Sequence, residues 1–384
     1  MLGEFSLKGA LQVAAGLHIA NIGDFFNIVL MAFFAKTLLR HPEALALVPS
    51  LAAMRGAIVT SMASRVSTAL HLGTLKPSNI IILKREFPIL LSLALLTSTY
   101  AAIIVGITAG YDLYREIGIG ALSGLLSIVF LAPTSVSIAT LGYRRGLDPD
   151  RYMAPILTVI GDISTSPTIV AVVLLLDKLS EGGSILLALT LAYASLSSII
   201  VLARGLPGRA RVLAESITAL VIVGLFEAYA GGSLVKYSRL FVAIGILHAI
   251  PSIMEDVGAA ASVVASRLST LSHLYGLTGS IKKIPAVILE VVVGSISPLL
   301  ALSLIAYMTS SIAGFTPEMG VLATVICIGG LASILVFSLV SLALVHASIV
   351  TGADPDNVVI PILTSIVDAL SIPLLALIAT TIYM

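Results

Sequence analysis

Apolar runs long enough to cross a bilayer recur along the whole chain, separated by short charged or Gly/Pro breaks, and this pattern leaves one fold class open. A spanning helix needs about 20 consecutive, mainly apolar residues. Eleven such runs can be read, at 10–37, 45–71, 87–109, 117–142, 153–176, 183–203, 212–234, 240–274, 284–309, 319–347 and 358–382. Of the 384 residues, 58% are hydrophobic and only 11% are charged, whereas a soluble domain is about one quarter charged. Mean hydropathy is +1.11. Such a chain cannot cover a water-facing surface, so the expected fold is an all-α polytopic membrane protein with no sizeable soluble domain, embedded in lipid.

The charge balance removes other classes. Net charge is +1, so no global field points to nucleic acid. Cys327 is the only cysteine, which excludes intrachain disulfides and thiolate metal sites. The start, from Met1 to Gly9, carries no cleavage pattern, and the first apolar run is expected to be retained. Trp is absent, so Tyr alone is left to form the interfacial aromatic belts. In alternate loops the Lys/Arg count is twelve against six. That asymmetry predicts a cytoplasmic N-terminus and an outside C-terminus.

An internal duplication organises the chain. Residues 148–167 and 354–373 match at ten of twenty positions with a constant offset of 206. Residues 49–72 and 251–274 match at eleven of twenty-four with an offset of 202. The chain therefore reads as a first five-helix repeat over 1–180, a linker helix and basic loop over 181–210, and a second five-helix repeat over 211–384. Joining two five-span units directly would invert the second, as in inverted-repeat transporters. The extra span at 183–203 restores the orientation, so the expected repeats are parallel, related by a pseudo-two-fold axis along the membrane normal.

Asp162 and Asp368 occupy equivalent places in the two PILTxIxD copies. Each lies about nine residues into its span, roughly 14 Å deep at 1.5 Å per residue. A carboxylate there costs several kcal/mol unless it meets water, a cation or a partner. Two of them at symmetric positions argue for one shared cation site on the axis, over a purely structural pair of carboxyls. Oxygen ligands suit hard cations, and Mg2+ keeps several of its waters. Thr158 and Thr364 add hydroxyls one turn earlier. Pro155 and Pro361 each remove a backbone donor near the helix start, which either frees carbonyls toward a pathway or simply kinks the helix. Asp148 and Asp354, with Asp150 and Asp356, precede these helices as N-caps, and at a pore mouth they would also concentrate cations. Arg65 and Arg267, in ASRVST and ASRLST, are read as packing and positioning residues among small side chains. Asp24, Glu227, Glu255, Asp256 and Glu290 are further intramembrane acids. The last three have no acidic counterpart in the first half, so any further ion or proton site is expected to be asymmetric.

The paired ASR(V/L)ST and DPD(N)xxxPIxxSxxD segments resemble the MgtE-type membrane domain, and most of all its duplicated form in the eukaryotic solute carrier family 41. The resemblance covers nearly the whole chain and recurs in both halves. It implies Mg2+ or a similar divalent cation as transported ion, with Na+ or H+ as coupling ions to consider. It also implies a pathway between the second and fifth spans of each unit, with the fifth-span Asp at Asp162 and Asp368. The family's second span usually carries Gly-Asn; here Gly56-Ala57 and Gly258-Ala259 stand in that place, so a ligand amide is missing in both halves. The cytoplasmic acidic and CBS domains of bacterial MgtE have no counterpart in these residues, so gating by them is not implied. Bacterial MgtE pairs two five-span subunits; the fused repeats imply a functional monomer. An intramembrane aspartyl protease needs a YD and GxGD pair, but Gly161-Asp162 follows Ile160 and Asp368 follows Val367, so no enzyme is expected. A Na+- or H+-coupled carrier of another solute remains the alternative within transport.

Overall fold

The computed structural model describes residues 5–71, 76, 79–145, 149–205, 207–351 and 355–383. Among these residues the chain is all-α. Its helices are α1 (Leu7–Arg40), α2 (Pro42–His71), α3 (Asn79–Ala109), α4 (Leu113–Arg144), α5 (Pro149–Leu176), α6 (Glu181–Gly205), α7 (Pro207–Ile244), α8 (Ile250–Ile281), α9 (Ile284–Ala313), α10 (Met319–Val350) and α11 (Pro355–Tyr383). A short 3-10 turn, Leu247–Ala249, precedes α8. Six helices or helix portions among the described residues are long and apolar enough to cross a membrane: α1, Glu86–Ala109, α4, α9, α10 and Ile362–Tyr383. The protein is an integral, multi-pass membrane protein.

One boundary differs from the sequence reading. Lys236 and Arg239 suggested a break after residue 234, yet α7 continues to Ile244. Both charged side chains are exposed, and Lys236 lies over the Tyr237 ring at 5.2 Å, so the charges ride on the helix without ending it. The helix stops instead at Gly245, whose φ of +81° is a left-handed conformation that favours glycine. A Cβ there would also sit 2.6 Å from Pro317.

The chain forms two compact units. One holds α2 to α6 with α7 as far as Val235; the other holds α1 as far as Lys36 with the chain from Lys236 onward. Thus the first helix of each sequence repeat resides in the unit built on the other repeat. Small residues make each of these dockings close. In the α8–α11 unit, a Cβ on Gly294 of α9 would lie 2.6 Å from the Ala10 carbonyl of α1. In the α2–α6 unit, a Cβ on Gly231 of α7 would overlap the Ala46 carbonyl of α2.

Within the α2–α6 unit, α3 and α4 approach through Gly120 and Gly124, four residues apart on one face of α4. A Cβ on Gly120 would be 2.7 Å from the Ser98 carbonyl. The core beneath them includes Met54, Ile58 and Met62 of α2, Leu90 and Leu93 of α3, and Ile128 and Leu131 of α4. The linker helix α6 joins this unit, where Ser195 donates to the Leu95 carbonyl at 3.2 Å and its hydroxyl meets Thr99 at 2.8 Å. In each unit the fifth helix of the repeat packs on the second: α5 on α2, and α11 on α8.

Candidate cation site

Asp162 sits near the middle of α5, a 28-residue helix, and Asp368 near the middle of α11, with 29. Both are half-buried. Each lies on the helix that packs against the second helix of its repeat. After Asp162, α5 is rich in hydroxyls. Ser164 and Thr165 both donate to the Gly161 carbonyl, at 2.7 and 3.0 Å, which satisfies their own hydroxyl hydrogens and leaves lone pairs free to accept. Thr364 precedes Asp368 by one turn and is half-buried. Gly258 of α8 faces Val367, the residue before Asp368: a Cβ on Gly258 would meet Val367 Cγ1 at 3.7 Å, an ordinary contact.

Asp148 and Asp354 lie outside the described residues. The backbones of Gly56, Arg65, Pro155, Thr158 and Pro361 are helical, and their side chains lie outside what is described. Helices α5 and α11 run unbroken across Pro155 and Pro361.

Arg267 pairs with Glu290 of α9, and the other oxygen of Glu290 accepts the Ser6 amide of the α1 segment at 2.7 Å. The guanidinium therefore ties α8 to α9, and through Glu290 to α1. Glu290 was expected to lack an acidic counterpart. Glu86, in the second turn of α3, is buried as Glu290 is in the second turn of α9. The matched segments stop short of these helices, which hid the likeness.

Arg55 is the residue that sequence reading missed. It lies on α2, only 2% exposed, and donates from Nη2 to the Ser123 carbonyl of α4 at 3.2 Å. Its other nitrogens, Nε and Nη1, have no hydrogen-bond partner among the described residues, and Asp162 is the charge that attracts it. The signal was present: positions 53–55 read Ala, Met, Arg where the aligned 255–257 read Glu, Asp, Val. On α8, Asp256 is 1% exposed. Glu255 lies beside Asp24 of α1.

At the Arg115 end of the α2–α6 unit, three interhelix segments meet in an ion cluster. Arg115 binds Glu43 at 3.1 Å and Asp177 at 2.6 Å, and His41 lies 3.3 Å from Glu43 and 3.4 Å from Asp177.

Known proteins resemble this chain over most of its length. The family described as "MgtE: Divalent cation transporter" matches residues 48–173 and 250–378, more than half of the chain. The chain is 26% identical over 431 residues to solute carrier family 41 member 2 of Xenopus laevis, covering 97% of this chain and 72% of the relative. It is 27% identical over 434 residues to the human member 2, covering 98% and 69%. No solved structure matches.

Proposed function

The chain belongs to the MgtE family of divalent cation transporters, a transporter and not an enzyme, and we propose that it carries Mg2+ on a site whose charged ligands are Asp162 and Asp368. The observation that carries this reading is their common placement: each is a half-buried carboxylate at mid-helix, on the helix that packs against the second helix of its repeat. A carboxylate at that depth is stable only beside water or a counter-charge. Mg2+ keeps most of its hydration shell and needs only one or two protein carboxylates. Thr158 and Thr364 supply hydroxyl oxygens to the waters of the ion, and Asp148 and Asp354 concentrate cations at the mouth. Pro155, Pro361, Gly56, Gly258, Arg65 and Arg267 shape the helices around the path.

The two carboxylates differ in their surroundings. Arg55 of α2 attracts Asp162, and Gly258 of α8 faces the residue before Asp368. The duplication provides both carboxylates in one chain, which makes a single chain the functional unit. The Lys/Arg asymmetry supports a cytoplasmic N-terminus.

The test is Mg2+ uptake into proteoliposomes holding the full chain, with the double variant Asp162→Asn, Asp368→Asn beside it. The reading predicts uptake by the natural chain and its loss in the variant. No movement of Mg2+, Mn2+ or Co2+ by the natural chain, or equal movement by the variant, contradicts it.

A further inference from the structure

One histidine bridges the start of α2 and the end of α5. His41 immediately precedes α2, Glu43 lies in its first turn, Asp177 immediately follows α5, and Arg115 lies in the first turn of α4. The imidazole reaches both acids: Nδ1 is 3.3 Å from Glu43 Oε1, and Nε2 is 3.4 Å from Asp177 Oδ2. Arg115 Nη2 is also 3.4 Å from Nδ1, so a donor and an acceptor compete for that nitrogen.

A proton decides between them. A neutral ring has one N–H; it gives that hydrogen to Asp177 from Nε2 while Nδ1 accepts from Arg115. A protonated ring donates from both nitrogens, so it binds Glu43 and Asp177 at once and no longer accepts from Arg115. Arg115 keeps its own bonds to Glu43 at 3.1 Å and Asp177 at 2.6 Å. The charges agree with this: a neutral His41 leaves one guanidinium against two carboxylates, and a protonated one balances them. Histidine makes this change between about pH 5 and 8, and the His41 side chain is 19% exposed, so bulk protons reach it.

The surrounding groups do not supply the same switch. Arg40, Tyr114, Lys178 and Glu181 are exposed, and Tyr111 is half-buried in the turn before α4. Asp112 is engaged as the cap of α4, accepting the Tyr114 amide at 3.0 Å. Glu116, next to Arg115, is buried, and neither of its oxygens has a hydrogen-bond partner among the described residues. Its titration is the one to be told apart from that of His41.

We propose that His41 is a proton-operated clasp: its protonation ties the start of α2 to the end of α5 and slows passage of the cation. In this unit α5 packs on α2, and α5 carries Asp162. Parting the two helices at this end has to break the bonds made through His41. Proton uptake adds the bond to Glu43, and proton loss returns Nδ1 to Arg115. The link to transport rests on the Mg2+ reading above; the clasp itself does not.

Two measurements on the full chain separate these. The first is hydrogen–deuterium exchange in nanodiscs without Mg2+, at about pH 5.5 and about pH 8, either side of imidazole titration. After correction for the intrinsic pH dependence of exchange, amides at the start of α2 and the end of α5 should exchange about two- to fivefold more slowly at the acid pH, the scale of partly exposed ion pairs. His41→Gln should abolish that difference, and Glu116→Gln should keep it. A difference that is absent, survives His41→Gln or disappears in Glu116→Gln overturns the clasp. The second is Mg2+ uptake into proteoliposomes with the same pH inside and out. Uptake should fall by about two- to fivefold over the same range. His41→Gln should remove the fall, and His41→Arg, always charged, should be slow at both pH values. A fall of the same size in His41→Gln, or no fall in the natural chain, overturns the link and leaves Mg2+ transport standing. No divalent cation movement at either pH defeats the transport reading, while the exchange data still judge the clasp.

Discussion

The second helices of the two repeats align with one another, yet they carry opposite charge at the same level. Around position 55 the first repeat reads Ala53, Met54, Arg55; the second reads Glu255, Asp256, Val257. In the α2–α6 unit, Arg55 is a tethered cation that attracts Asp162. In the α8–α11 unit the corresponding stretch adds two acids and meets a third, Asp24. Duplication therefore preserved the fifth-helix carboxylates while the charge carried by the second helices diverged. The ends of the units differ in the same sense. Arg115, Glu43, His41 and Asp177 close one with ion pairs. Neutral contacts close the other: His248 with Thr309, and Ser310 with the Gly245 carbonyl at 3.3 Å.

Removing the tethered cation should have the largest effect. Arg55→Met removes the charge that attracts Asp162 and the hydrogen bond to the Ser123 carbonyl, and a hydrogen bond made by a charged group is worth about 1.5–3 kcal/mol. Unfolding in detergent should show that loss, and Arg55→Met combined with Asp162→Asn should recover part of it. Additive losses would mean that the two groups do not interact. The converse change imports the cation into the other repeat. Val257→Arg places a guanidinium beside the acids of α8, and Mg2+ uptake should fall by roughly tenfold or more, the scale of a lost support to a metal site. Unchanged uptake in a folded variant would dissolve the comparison.

Smaller effects distinguish the two ends. His248→Ala deletes a buried, hydrogen-bonded ring and should destabilise by about 1–3 kcal/mol, with little dependence on salt. Arg115→Ala removes partly exposed pairs worth about 1 kcal/mol or less each, and the loss should shrink further at high salt. Unfolding of both variants at low and high ionic strength is the measurement. A salt-sensitive His248 effect, or a salt-insensitive Arg115 effect, would reverse the assignment of charged and neutral ends.

Much of this was legible in the sequence because bilayer solvation writes itself into composition. All eleven helices follow from apolar length, and Asp162 and Asp368 follow from a duplicated motif. Three things were not legible. The residence of α1 and α7 in the unit of the opposite repeat depends on contacts at Gly294 and Gly231, where single glycines in apolar helices carry no signal of what they touch. The end of α7 was misplaced because exposed Lys236 and Arg239 look like a loop, although a helix tolerates them at its surface. Arg55 was hidden by its apolar neighbours; one charge in a span of 30 residues hardly alters its hydropathy, and only the alignment of the repeats exposes the change of sign.

The most direct test is to measure Mg2+ uptake by Asp162→Asn and Asp368→Asn side by side, as single variants in proteoliposomes. A site built on both carboxylates predicts that each single variant loses most of the uptake of the natural chain. Uptake kept in full by either single variant would contradict it.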